Sequence, residues 1–172
     1  CDTNICFSAI PVINKIGVDP KIGGNVRETS DTFFKNNKKE FDVIFIDGLH
    51  TYEQCRKDTI NSLKVLNRNG FIFLHDMIPR TWKEENVPRL GSQGIWTGDV
   101  WKVALELIKT KGIDFFVIAA DHGVGVIKKK EENIGYHDDS ENIKNLKFKD
   151  FLNLNEKIKY IEAEQAFELI LS

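Results

Sequence analysis

The chain has 172 residues, 41% of them hydrophobic and 29% charged, with a formal net charge of -2. That length suffices for one domain with its own core. The near-zero charge provides no basic field for nucleic acid, and no apolar run approaches the roughly 20 residues that span a bilayer.

The N-terminus lacks the basic start and apolar stretch of a secretory leader. Cys1, Cys6 and Cys55 form no CxxC pair and read as reduced thiols of a cytoplasmic protein. The chain opens on Cys1 with no initiator methionine and reads as a fragment. Residues 15–19 (KIGVD) are a short apolar run ending on acid-proline, a buried-strand pattern, and residues 25–29 suggest another short strand. Ser30-Asp31 offers an N-cap for a helical turn through Phe33 and Phe34. Residues 41–47 (FDVIFID) are the strongest strand candidate. From 51 to 66 the period changes: Tyr52, Cys55, Thr59, Leu63 and Leu66 recur at three- and four-residue steps, an amphipathic helix that Asn69-Gly70 should stop.

Residues 71–74 form the next predicted strand, ending on His75-Asp76. Residues 77–98 hold Pro79, Pro88, Gly91, Gly94 and Gly98 and read as a long loop of the kind that serves as a lid. Asp99 should cap a helix through residue 109, with Val100, Val103, Ala104, Leu107 and Ile108 inward. Residues 114–119 and 123–128 are two strands joined by a tight Asp121-His122-Gly123 turn, hence antiparallel. Residues 129–142 are a polar connector, and 146–172 are helix-prone. Strands alternating with helices imply an α/β fold, a doubly wound, mostly parallel sheet with an antiparallel strand added by the hairpin. Ligands of such sheets bind at the carboxyl ends of the strands. Asp19, Asp47, His75 and Asp76 all end predicted strands on that rim.

KIGVDP, TSDTFF, FDVIFIDGLHTYEQCRKD and LNRNGFIFLHD together resemble the class I S-adenosylmethionine-dependent methyltransferases. The likeness is greatest to the branch with IDGxHxY at the fourth strand end and HD at the fifth. It covers roughly residues 1–128; residues 1–130 are taken as a methyltransferase core, with 131–172 as an extension packed on the same domain. The resemblance implies a Rossmann-like seven-stranded sheet whose last strand is antiparallel. It implies Asp19 at the cofactor ribose hydroxyls, which suit a carboxylate as paired acceptor, and Ser30 and Asp31 beside the adenine. It implies Asp47 at the cofactor and metal, with His75 and Asp76 as further ligands of Mg²⁺ or another divalent cation. His50 matches the general base of the macrolide-sugar enzymes. The family's first strand and glycine-rich loop would fall just before and around residues 1–4, where CDTN contains no glycine. His75 stands where relatives carry an acid.

Each of these residues also has a plain structural reading. Asp47-Gly48 is a common turn, His50 sits near a helix N-cap, Asp19-Pro20 favours a turn, and His75-Asp76 could be a solvated strand end. Trp96 and Trp101 read as core packing or as a lid wall. The function implied is O-methylation of a small-molecule or carbohydrate hydroxyl. The alternatives are a metal-independent methyltransferase and a non-catalytic methyltransferase-like binding domain. Neither nucleic acid nor membrane is an expected partner, and oligomeric state is left open, a homo-oligomer included. A nicotinamide enzyme is disfavoured because no GxGxxG follows a visible strand.

Overall fold

A computed structural model describes residues 5–171 and divides the chain into two compact units, residues 1–39 and residues 40–172. Cys1, and the place expected for the first strand and glycine-rich loop, lie outside the described residues.

The first unit holds two short helices, α1 (Ile5–Ala9) and α2 (Ser30–Asn36). The two strands predicted here do not form. Val18 and Val26 make one isolated parallel bridge. The intervening Gly23 and Gly24 take positive φ (86° and 67°) and turn the chain before a ladder can propagate. Backbone bonds from Asn25 N and Val26 N to the Gly17 carbonyl (2.8 and 3.0 Å) close the loop instead. The N-cap of α2 is Thr29, whose hydroxyl accepts from Thr32 N at 3.3 Å; Ser30 and Asp31, expected to supply it, occupy the first turn.

The second unit carries the sheet. It begins with β1 (Phe41–Ile46), followed by α3 (Tyr52–Val65), whose N-cap Thr51 accepts from Gln54 N. Strand β2 (Leu66–Leu74) starts where α3 stops, and at the expected Asn69-Gly70 position Asn69 turns to φ 64°, so that regular pairing with β1 runs only from Phe71. The buried Lys129 ammonium meets the end of α3. It donates to the Leu63 and Leu66 carbonyls (3.2 and 2.7 Å), groups a helix C-terminus otherwise leaves unpaired. The 77–98 loop contains one turn of helix, α4 (Trp82–Glu85), and α5 spans Lys102–Leu107, shorter than predicted. Next come β3 (Ile113–Ile118) and β4 (Val124–Lys129), antiparallel as predicted. The chain finishes with α6 (Ser140–Ile143), α7 (Phe148–Leu154), a 3₁₀ turn (Asn155–Lys157), β5 (Tyr160–Ile161) and α8 (Ala163–Leu171).

The strands lie in the order β1-β2-β4-β3-β5. Strands β1, β2, β3 and β5 run one way and β4 runs against them. The antiparallel β4 is the last strand of residues 1–130, as expected, and lies inside the sheet; the two-residue β5 of the C-terminal stretch follows it in the chain. The sheet has five strands among the described residues, where the resemblance implied seven, because residues 5–39 add no regular strand. Ile72, Leu74, Val117 and Ile127 face a core shared with Tyr52, Leu63, Trp101 and Phe151, while Phe71, Phe73, Phe116 and Val126 face Ala166 and Ile170 of α8. A mixed, mostly parallel sheet with apolar packing on both faces is the Rossmann-like arrangement anticipated above. The polar stretch 129–142 does more than connect. Tyr136 and Arg56 both bond the fully buried Glu106 carboxylate (2.8 and 3.0 Å), tying that stretch to α3 and α5. Among the described residues no helix is long and apolar enough to cross a membrane.

Candidate active site

β1 and β2 are adjacent and parallel, so their carboxyl ends lie side by side. The last rung of their pairing is the bond from His75 N to the Ile46 carbonyl, 3.1 Å. The next residue of each chain segment is an acid or leads to one: Asp47 after β1, Asp76 after His75. Asp76 takes φ 63°, a left-handed conformation uncommon for a residue other than glycine. Such strain persists where the surroundings over-determine it, and it turns the buried Asp76 carboxylate toward its neighbours.

His50 lies in the turn between β1 and α3. Its Nε2 is 3.4 Å from Asp47 Oδ1, and its Nδ1 is 3.2 Å from Asp76 Oδ2. Nδ1 lies closer still, 2.7 Å, to the Trp96 carbonyl, and the His50 and Trp96 rings stack at 5.1 Å. His75 Nδ1 stands 3.5 Å from Asp47 and 3.3 Å from Asp76. Asp47, His50 and Asp76 each offer a ligand atom within 4.8 Å of the other two. The convergent set therefore contains His50, where the sequence reading had His75 as the imidazole ligand; His75 borders the same carboxylates.

The charges support one another. Hydrogen bonds from His50 and then His75 hold the Asp47 carboxyl far below the usual carboxylate range, against its partial burial. Contact with Asp47, and then with the Trp96 carbonyl, raises His50 above the ordinary histidine value. Asp47, then Asp76 and Asp121, raise His75 to about 11, so this imidazole is protonated at neutral pH.

The end of the 77–98 loop holds His50 in place, a role not read from the sequence. Gly98 has φ 63°, and a Cβ there would overlap the His50 carbonyl oxygen and lie 2.7 Å from its carbonyl carbon. Only glycine permits that approach. Asp99, expected to cap its own helix, instead accepts from Tyr52 N (2.7 Å) at the start of α3. Its second oxygen meets the fully buried Lys102 ammonium at 2.6 Å. No local pattern announces the contact with Tyr52, which lies 47 residues away in sequence.

Asp19, Ser30 and Asp31 belong to the first unit. Asp19 Oδ1 accepts from Lys21 N and Ile22 N (2.7 and 2.8 Å), the turn that Asp-Pro favours, and Arg27 lies 3.6 Å away. The Lys21 amide, with Ile22, holds this carboxyl below its ordinary value. Ser30 and Asp31 begin α2.

A family model for a methyltransferase domain matches residues 17–77, the span that contains Asp19, Ser30, Asp31, Asp47, His50, His75 and Asp76. No curated protein matches the chain. The match supports a methyltransferase domain.

Proposed function

We propose that this chain is an S-adenosylmethionine-dependent O-methyltransferase of the cytoplasm, acting on a small-molecule or carbohydrate hydroxyl with the help of a divalent cation. The observation that carries the reading is the convergence of Asp47, His50 and Asp76 at the carboxyl ends of two parallel strands, within the span matched by the methyltransferase model. The donor assignments, Asp19, Ser30, Asp31 and Asp47, rest on the family resemblance. Asp19 is ionised at neutral pH and offers acceptors only, which suits hydroxyl donors.

Two carboxylates with an imidazole nitrogen form a donor set that suits a hard or borderline divalent cation. We assign Asp47 and Asp76 to hold it, and His75 would join them as the imidazole only on giving up its proton as the cation binds. The cation, when bound, supplies positive charge that polarises an acceptor hydroxyl and offsets the two carboxylates. His50 we assign to the proton. Its Nδ1 faces the Trp96 carbonyl at 2.7 Å and its Nε2 faces Asp47 at 3.4 Å, so Nε2 would be free to accept a proton once a bound cation took up the Asp47 carboxylate. S-adenosylmethionine, when bound, would supply an electrophilic sulfonium methyl group, and His50 Nε2 would take the proton of the acceptor hydroxyl. The stacked Trp96 ring restricts rotation of the imidazole during that transfer.

Calorimetric titration with S-adenosylhomocysteine, with and without Mg²⁺, tests the reading. Binding that Mg²⁺ strengthens is expected; absence of binding would move the reading to a non-catalytic methyltransferase-like domain. A His50→Ala protein should keep that binding and lose turnover, on the order of 10²-fold or more. Unchanged turnover would sink the base assignment. One observation favours a second, metal-independent reading. Protonated His75 already places a positive charge against both carboxylates. Turnover that survives exhaustive chelation would establish it.

A further inference from the structure

We infer that Asp121, in the turn between β3 and β4, is a positioning residue of the site, acting through His75 on Asp47 and Asp76. The inference builds on the site reading above but turns on contacts outside the matched span. His75 presents two ring nitrogens to two different partners. Nδ1 faces Asp47 and Asp76, at 3.5 and 3.3 Å. Nε2 faces Asp121 Oδ2, at 3.2 Å. A ring held at both ends has one orientation, and the carboxylate at the far nitrogen decides which nitrogen the near carboxylates meet. Outer carboxylates that accept from the far nitrogen of a histidine fix the orientation of its ring.

The fold builds this contact deliberately. β4 pairs with β2, with Gly125 opposite Leu74, so the β3–β4 turn must pass over the residues that follow β2. Two backbone bonds fasten it there: Met77 N to the Gly123 carbonyl (3.0 Å) and Ile78 N to the His122 carbonyl (2.6 Å). Gly123 has φ 85°, and a Cβ on it would collide with the Ile78 side chain and lie 2.9 Å from Ile78 N. The turn thus lies against the Met77-Ile78 backbone, two residues beyond His75, which delivers Asp121 to His75 across 46 residues of sequence. The turn itself needs no carboxylate. Asp121 has φ 44°, a conformation that glycine adopts at least cost and asparagine tolerates. Aspartate is tolerated there as well, so the turn does not select for or against the carboxylate, and what the carboxylate adds is the contact with His75.

The test compares wild type with Asp121→Gly and Asp121→Asn. Selective ¹⁵N labelling of the imidazoles, read through the long-range proton–nitrogen spectrum of the metal-free protein, reports the His75 ring. Mn²⁺ titration of the same three proteins, and of each in a His75→Gln background, reports the carboxylates. If Asp121 positions His75, Asp121→Gly shifts both His75 nitrogens and weakens Mn²⁺ about 3- to 10-fold. That is the low side of the outer-carboxylate range, because the Asp121 side chain is 76% exposed. Asp121→Asn, which keeps a neutral acceptor, should fall between the two, and the loss should vanish in the His75→Gln background. A turn-only role predicts the reverse order, with glycine at least as good as aspartate and no movement of the His75 signals. That result would overturn the inference. Failure of wild type to bind Mn²⁺ would instead count against the metal reading, while the His75 spectrum would still decide the role of Asp121.

Discussion

Gly98→Ala tests whether the end of the long loop determines where His50 stands. The structure separates its cost into two parts. Gly98 has φ 63°, so any side chain forces a left-handed conformation, at about 1 kcal/mol. A Cβ would also overlap the His50 carbonyl oxygen, lying 2.7 Å from the carbonyl carbon and 2.8 Å from the His50 Cβ. Two of these three atoms are backbone, and no rotamer change relieves a backbone collision. Overpacking of this kind costs roughly 1–3 kcal/mol, for a sum of about 2–4 kcal/mol. In a chain of 172 residues that corresponds to a fall in melting temperature of roughly 5–15 °C. Gly91 offers the control. It lies in the same loop at φ 75°, with nothing within 4 Å of its ideal Cβ. Gly91→Ala therefore bears the backbone cost alone, about 1 kcal/mol. Thermal and urea unfolding of both variants gives the comparison, and turnover should fall further in Gly98→Ala because the displaced atoms belong to the proposed base. Equal stability of the two, within about 0.5 kcal/mol, would refute the packing of Gly98 on His50.

Asp99→Ala should destabilise by about 3–5 kcal/mol, since it removes the acceptor of Tyr52 N and leaves the fully buried Lys102 ammonium with the Lys144 carbonyl at 2.9 Å. A shift in urea midpoint worth less than about 1.5 kcal/mol would mean that Lys102 reaches water on its own. Burial, opposed by the Trp101 indole and the more distant Lys102, raises the Glu85 carboxyl above its ordinary value of 4.5. The folded state then binds more protons than the unfolded state between 4.5 and the folded value, so stability is lost as pH rises through that interval. Melting temperatures from pH 4 to pH 8 should show Glu85→Gln gaining on wild type as pH increases; parallel curves would exclude the effect.

Much of the second unit was legible because its signals are local. Apolar, β-prone runs marked β1 and β2, a three- and four-residue period marked α3, and the Asp121-His122-Gly123 turn marked the β3–β4 hairpin. The first unit shows where such signals fail. KIGVD has the composition of a strand, but a strand needs a neighbour along several residues. The Gly23-Gly24 turn leaves Val18 and Val26 one bridge. The boundary between α3 and β2 was legible by contrast, since the helix ends at Val65 and Asn69, at φ 64°, interrupts the ladder before Phe71. What the sequence did not show is Lys129, brought in by β4, which satisfies the Leu63 and Leu66 carbonyls at the helix end.

The site divides along the same line. Asp47, His50, His75 and Asp76 could be picked because strand ends that carry acids and imidazoles break the local hydrophobic rule, and two adjacent parallel strands must bring their ends together. What holds them could not be picked. Gly98 looked like one more loop glycine, Asp99 like the cap of the helix it precedes, and Asp121 like turn chemistry. Each acts on a residue distant in sequence, through a contact that exists only once the chain has closed. The division has a physical basis. The groups that do chemistry must be polar at the end of an apolar element, which is visible in the order of residues. The groups that aim them need only a carbonyl, a missing Cβ or a single carboxylate at the right point in space. Aim is thus the less legible property, and the Gly98 and Asp121 variants measure it directly. Neither substitution removes a group that would touch donor, acceptor or cation. A loss of turnover or Mn²⁺ affinity from either would therefore report the orientation of His50 or His75 and not their chemistry.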